Sequence, residues 1–108
     1  MDNSQFETLA DATLSRVQTA VEAAPGGSLD AELVSGILTI ELESGSKYLL
    51  NKHGPNHQIW LSSPVSGAWH FAWSEDEQAW ISTRGGEKFD DLLGRELTEA
   101  AGESIELG

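Results

Sequence analysis

Asn51-Lys52-His53-Gly54-Pro55-Asn56-His57-Gln58-Ile59-Trp60-Leu61-Ser62-Ser63-Pro64 is the stretch whose reading decides the rest of the chain. It spells the end of one strand, a Gly-Pro turn, and a second short strand over Gln58–Ser63. Alternation along that second strand puts Ile59 and Leu61 on one face and Gln58, Trp60 and Ser62 on the other. With Ile59 and Leu61 in the core, Trp60 faces away from it, beside Gln58. A tryptophan left in water forgoes roughly 1.5–3 kcal/mol of burial, so an outward Trp60 needs a reason. Spacing alone leaves two readings open: a ring covered by a loop or second helix, or a ring kept for a partner.

Upstream, Phe6, Leu9, Ala10, Thr13, Val17, Ala20 and Val21 recur at helical spacing and predict an amphipathic helix over about 4–23. Ser4 and Glu7 match a capping box that starts it, and Pro25-Gly26-Gly27 ends it. Glu7, Asp11, Ser15, Gln18 and Glu22 fall on its solvent side. Like charges four apart, such as Glu7 and Asp11, cost about 0.2–0.5 kcal/mol unless a cation lies between them. Alternating segments follow at Leu29–Leu33, Leu38–Leu42, Lys47–Lys52, Gln58–Ser63, Ala68–Trp73 and Ala79–Thr83, joined by short turns. Consecutive strands with such turns make an antiparallel sheet rather than βαβ units. A closing helix over about 87–101 buries Phe89, Leu92, Leu93, Leu97 and Ala100, with Gly94 inside it and Gly102 as its terminator. Ile105 and Leu107 are placed to seal the end of the helical layer. The predicted architecture is an α+β two-layer sandwich: an antiparallel sheet of five to seven strands, with N- and C-terminal helices packed on one face.

Length and composition agree with this. A chain of 108 residues is one domain, and 39% hydrophobic content with four Trp and three Phe marks a folded core rather than an acidic tail. There are no cysteines, which excludes disulfides, thiolate metal sites and cysteine nucleophiles. No apolar run reaches transmembrane length and no targeting pattern opens the chain, so a bacterial cytoplasm is expected; a chain trimmed of a mitochondrial presequence, working in the matrix, reads the same way. The net charge of −12 is unevenly spread. Residues 1–46 carry eight acids and Arg16 (−7), residues 47–74 carry Lys47 and Lys52 and no acid (+2), and residues 75–108 carry ten acids against three bases (−7). A balance of this kind selects cations or basic protein partners and disfavours nucleic acid and anionic membranes.

Two constellations stand out. Glu7, Asp11, Glu22, Asp30, Glu32, Glu41 and Glu43 form a candidate acidic ridge. Exposed carboxylates suit hard cations that take oxygen ligands, held weakly and with little selectivity. The plainer account is that acids on solvated faces are what soluble proteins carry, and that Glu7 caps its helix. Asn51, Lys52, Gln58 and Trp60, with His70 nearby, form the second: a large aromatic ringed by amides and a cation, the composition of an interaction hot spot. Other signals are weaker. Gly54-Pro55 between His53 and His57 rules out a helical metal pair and leaves two solvated loop histidines. Asp90 and Asp91 suit the first turn of a helix. Ser62-Ser63 lacks a nucleophile elbow, and Gly85-Gly86 is followed by Glu87, the wrong charge for a phosphate cradle.

Asn-Lys, a short Pro-containing turn, Gln-Ile-Trp-Leu-Ser-Ser-Pro and then Gly-x-Trp-His-Phe together resemble the frataxin family, CyaY in bacteria, from Phe6 to about Leu107. The resemblance implies an iron-binding protein, with weakly held Fe2+ or Fe3+ for which other divalent cations substitute. It assigns metal binding to acids of the first helix and strand, here Glu7, Asp11, Glu22, Asp30 and Glu32, with Glu41 beside them. Where many bacterial relatives carry a dense run of acids, this chain has Ala23-Ala24-Pro25-Gly26-Gly27, which argues against tight multi-ion binding there. The resemblance also implies docking through Asn51, Lys52, Gln58 and Trp60 on a cysteine desulfurase and its iron–sulfur scaffold protein, as a monomer or an iron-dependent oligomer. Ferroxidase or iron-storage activity at the same ridge, and a metal-independent acidic adaptor, are the alternatives.

Overall fold

The computed structural model describes residues 1–24 and 26–107. Helix α1 (Asn3–Glu22) is followed by six strands, β1 (Leu29–Val34), β2 (Ile37–Leu42), β3 (Lys47–His53), β4 (Gln58–Ser63), β5 (Gly67–Ser74) and β6 (Ala79–Ser82), and by helix α2 (Phe89–Ala101). One 3-10 turn, Gly54–Asn56, joins β3 to β4. The strands pair in chain order, each antiparallel to the next. This is the expected two-layer α+β sandwich, with six strands.

Leu38, Ile40, Tyr48, Leu50, Ile59, Leu61, Trp69, Phe71 and Trp80 line the covered face and pack against Phe6, Ala10, Leu14, Val17 and Val21 of α1 and Phe89, Leu92, Leu93 and Leu97 of α2. Ile105 and Leu107 are buried with them, as the tail's two apolar residues predicted. The other parity of each strand faces outward, so the second sheet face is uncovered.

Local corrections have local causes. The N-cap of α1 is Asp2, in a reciprocal capping box with Gln5 rather than Ser4 with Glu7. An aspartate two residues earlier reaches the free N–H groups first, which leaves Glu7 available for a tertiary contact. Pro25, assigned to ending this helix, lies outside the described residues. Helix α2 begins at Phe89, two residues later than expected, because Lys88 bridges to Ile81 at the sheet edge. Ala100 is exposed, and Glu96 is buried in the same helix. Gly102 ends α2 in the left-handed conformation (φ 71°), which glycine adopts without strain.

Candidate functional site

Strand alternation carries Trp60 onto the uncovered sheet face, where it is half-buried. Its neighbours cover it. His70, directly opposite on β5, stacks on one face of the indole at 4.3 Å between ring centroids and 11° between planes. His53 stacks on the other face at 3.7 Å and 11°. It stands diagonally across, since Trp60 pairs with Asn51 and Gln58 with His53. The indole Nε1–H donates to Gln58 Oε1 at 2.8 Å. Asn51 donates from Nδ2 to the Lys52 carbonyl, leaving its own Oδ1 free of intramolecular donors among the described residues.

His53 is therefore not a solvated loop histidine. It is the last residue of β3, and its Nδ1 is buried without a hydrogen-bond partner among the described residues. Nor is His57. In the left-handed conformation (φ 52°) it stacks on Phe6 at 5.1 Å, with Nε2 2.6 Å from Asn3 Oδ1, fastening the turn to the start of α1.

Lys52 shares the parity of Tyr48 and Leu50 and so leaves the open face. Its side chain crosses to α1, where Nζ lies 2.5 Å from Glu7 Oε2 and 2.8 Å from Asp11 Oδ1. Hydrogen bonds to Asp11 and then Glu7 raise the Lys52 ammonium above its ordinary range. The structure thus gathers Asn51, Gln58 and Trp60 on one face and places Lys52 on the other, between two residues of the acidic set.

That acidic set is also divided. Glu7 and Asp11 lie on α1 with Lys52, and Glu22 is exposed at the far end of the helix, with Gln18 3.5 Å away. At 1.5 Å per residue, Glu22 is roughly 20 Å along the axis from Glu7. Asp30, Glu32 and Glu41 instead stand on the open face at the sheet's edge. Asp30 pairs directly across from Glu41, and with Glu32, Thr39 and Lys47 they line a shallow cleft of about 200 Å³. Among the described residues, no three His, Cys, Asp or Glu side chains converge as a metal cage. The donors present suit a hard cation held at the surface, and at Glu7 and Asp11 a metal must first displace Lys52.

One polar cluster was not anticipated from sequence. Glu96, 7% exposed, accepts from the hydroxyls of Tyr48 (2.9 Å) and Ser63 (2.7 Å) through Oε1 and from Ser66 (2.6 Å) through Oε2. Ser66 in turn accepts from Trp69 Nε1, so α2 is tied to β3 and to the β4–β5 turn. Burial, followed by the hydrogen bond to Glu96, pushes the Tyr48 hydroxyl well above the usual phenol range. Glu96 lies four and three residues after Leu92 and Leu93, on their face of the helix, and that spacing was the available signal.

The frataxin-like domain family matches residues 1–103. Among solved structures, the chain is similar to a frataxin of the CyaY family from Psychromonas ingrahamii at 26% identity and a TM-score of 0.88, covering 100% of this chain and 99% of that one. It is also similar to a trimeric frataxin from the yeast Saccharomyces cerevisiae, complexed with ferrous iron, at 33% identity and a TM-score of 0.73 over 95% of this chain and 88% of that one. A further yeast frataxin structure matches at 34% identity and a TM-score of 0.65, over 92% and 79% of the two chains.

Proposed function

Because the chain belongs to the frataxin family, we propose that it binds iron as cargo at surface carboxylates and regulates iron–sulfur cluster assembly by docking on a cysteine desulfurase and its scaffold protein. The observation that carries the docking half is Trp60: a large aromatic held rigidly on an uncovered sheet face, with amide groups beside it. Rigid aromatics bind at low entropic cost, which makes such a residue an economical anchor. The carboxylates supply the iron half. Asp30, Glu32 and Glu41 offer oxygen donors around one cleft, and Glu7 and Asp11 offer two more once Lys52 is displaced. We favour regulation over chemistry because carboxylates exposed on the surface leave an ion open to solvent.

The test pairs two sets of changes in a desulfurase assay with the scaffold protein. Trp60→Ala should abolish binding to the complex and leave iron titration intact. Neutralising Asp30, Glu32 and Glu41 together with Glu7 and Asp11 should remove the iron response. If neither set alters desulfurase turnover, the regulatory reading is wrong. If Trp60→Ala alone acts and iron moves no amide resonance at millimolar concentration, the protein is a metal-independent adaptor.

A further inference from the structure

We propose that His53 and His70 are positioning residues of the docking face, and that they restrict a partner to the edge of the Trp60 ring. The inference rests on the docking role of Trp60 given above and adds the manner of recognition. A tryptophan on an open sheet has a large apolar ring and the freedom to fold down over its neighbours, burying area at the expense of its reach. Here three contacts prevent that. His53 and His70 lie nearly parallel to the indole, on opposite faces, at centroid distances of 3.7 and 4.3 Å. The bond from Nε1–H to Gln58 Oε1 fixes which edge of the ring is uppermost.

Two consequences follow for the partner. Both faces of the ring are occupied, so a guanidinium or a second aromatic cannot stack on Trp60; the modes by which a tryptophan most often binds a cation or ring are closed. What remains is the ring edge, the positive part of the aromatic quadrupole, beside the Gln58 amide, whose NH2 is a donor. A partner that fits presents carbonyl oxygens and aliphatic groups at this point. The three rings belong to β3, β4 and β5, so the arrangement spans strands held by the core beneath and is formed before any partner arrives.

The test uses the full chain and the desulfurase–scaffold complex as the probe. Paired His53→Ala and His70→Ala changes should weaken docking about tenfold, a modest hot-spot loss, and should shift and broaden the Trp60 indole N–H resonance in the free protein. Phenylalanine at both positions restores a stacked ring without ring nitrogens and should recover most of the affinity and the sharp resonance. Docking by the alanine pair at wild-type strength would overturn the proposal. So would a phenylalanine pair as weak as the alanine pair, because the imidazoles would then be touching the partner through their nitrogens. Trp60→Ala separates the two levels: wild-type docking by that variant removes the docking reading itself, whereas loss with Trp60→Ala but not with the histidine changes removes only the positioning role.

Discussion

The Lys52 ammonium stands 2.8 Å from the Asp11 carboxylate and 2.5 Å from that of Glu7, four residues away on α1. It is the cation that a like-charged i, i+4 pair needs. It sits between two of the acids proposed above to hold iron, and it comes from the strand that also carries Asn51.

Replacing Lys52 with Met removes this internal competitor and retains the apolar stem. An exposed ion pair contributes up to about 1 kcal/mol, so Fe(II) affinity at Glu7 and Asp11 should rise by up to about fivefold. An anaerobic titration followed by amide resonances of Glu7–Asp11 reads this directly; unchanged affinity would mean that the metal binds elsewhere, with the cleft at Asp30, Glu32 and Glu41 the next place to look.

Glu96→Gln should lower stability by about 2 kcal/mol, since an amide cannot accept at both ends from three hydroxyl donors and one buried polar group is left unmatched. For a domain of this size that is roughly a 10 °C fall in Tm, measurable by calorimetry. The docking proposed for Trp60 should be unaffected at temperatures where the variant is folded.

Tyr48 and Lys52 set the alkaline limit. Each binds its proton more tightly in the folded state than unfolded, Tyr48 mainly through burial and Lys52 through its two carboxylate partners. Their contributions are complete below about pH 10, the unfolded range of both groups. They are lost as pH rises above it, because the unfolded chain then releases protons that the folded chain keeps. Denaturant midpoints should fall steeply above pH 10 in the wild type and less steeply in Tyr48→Phe, which starts about 1 kcal/mol lower at neutral pH for want of its bond to Glu96.

Gly94→Ala should stabilise α2. A Cβ built there meets the Ile105 carbonyl oxygen at 3.6 Å and Leu107 Cγ at 4.0 Å, ordinary contact distances. The helix therefore gains up to about 1 kcal/mol of propensity without a clash. A lower Tm in this variant would show that the tail packs more tightly against α2 than these distances allow.

The fold was legible because its signals are periodic and local. Alternation in Leu38–Leu42 and Gln58–Ser63 fixed both the strands and their buried faces, and the helical recurrence from Phe6 to Val21 fixed α1. The resemblance named the family. Side-chain partnerships were less legible, because they depend on register between segments. Lys52 was grouped with Asn51 as its neighbour in sequence, although strand parity alone sends the two to opposite faces. His53 was read as part of a loop, because the Gly-Pro after it gives no sign that the strand persists one residue further. The stack on Trp60 needs two inter-strand registers at once, β3 with β4 and β4 with β5. The acidic ridge joined acids placed separately on the first helix and the first two strands, and periodicity within an element says nothing of the distance between elements; the fold sets Glu7 and Asp11 on α1 and Asp30, Glu32 and Glu41 on the open sheet face.

Strand β1 terminates the sheet, and its outward side chains are Asp30, Glu32 and the exposed Val34. A bare strand edge is a template for further strands, and charge is what blunts it. Here the two carboxylates act as a fence against other copies of the chain. The net charge of −12 adds repulsion between whole molecules to this local guard. The acids proposed above as oxygen donors for a cation thus have a second use, as a guard on the sheet's own edge.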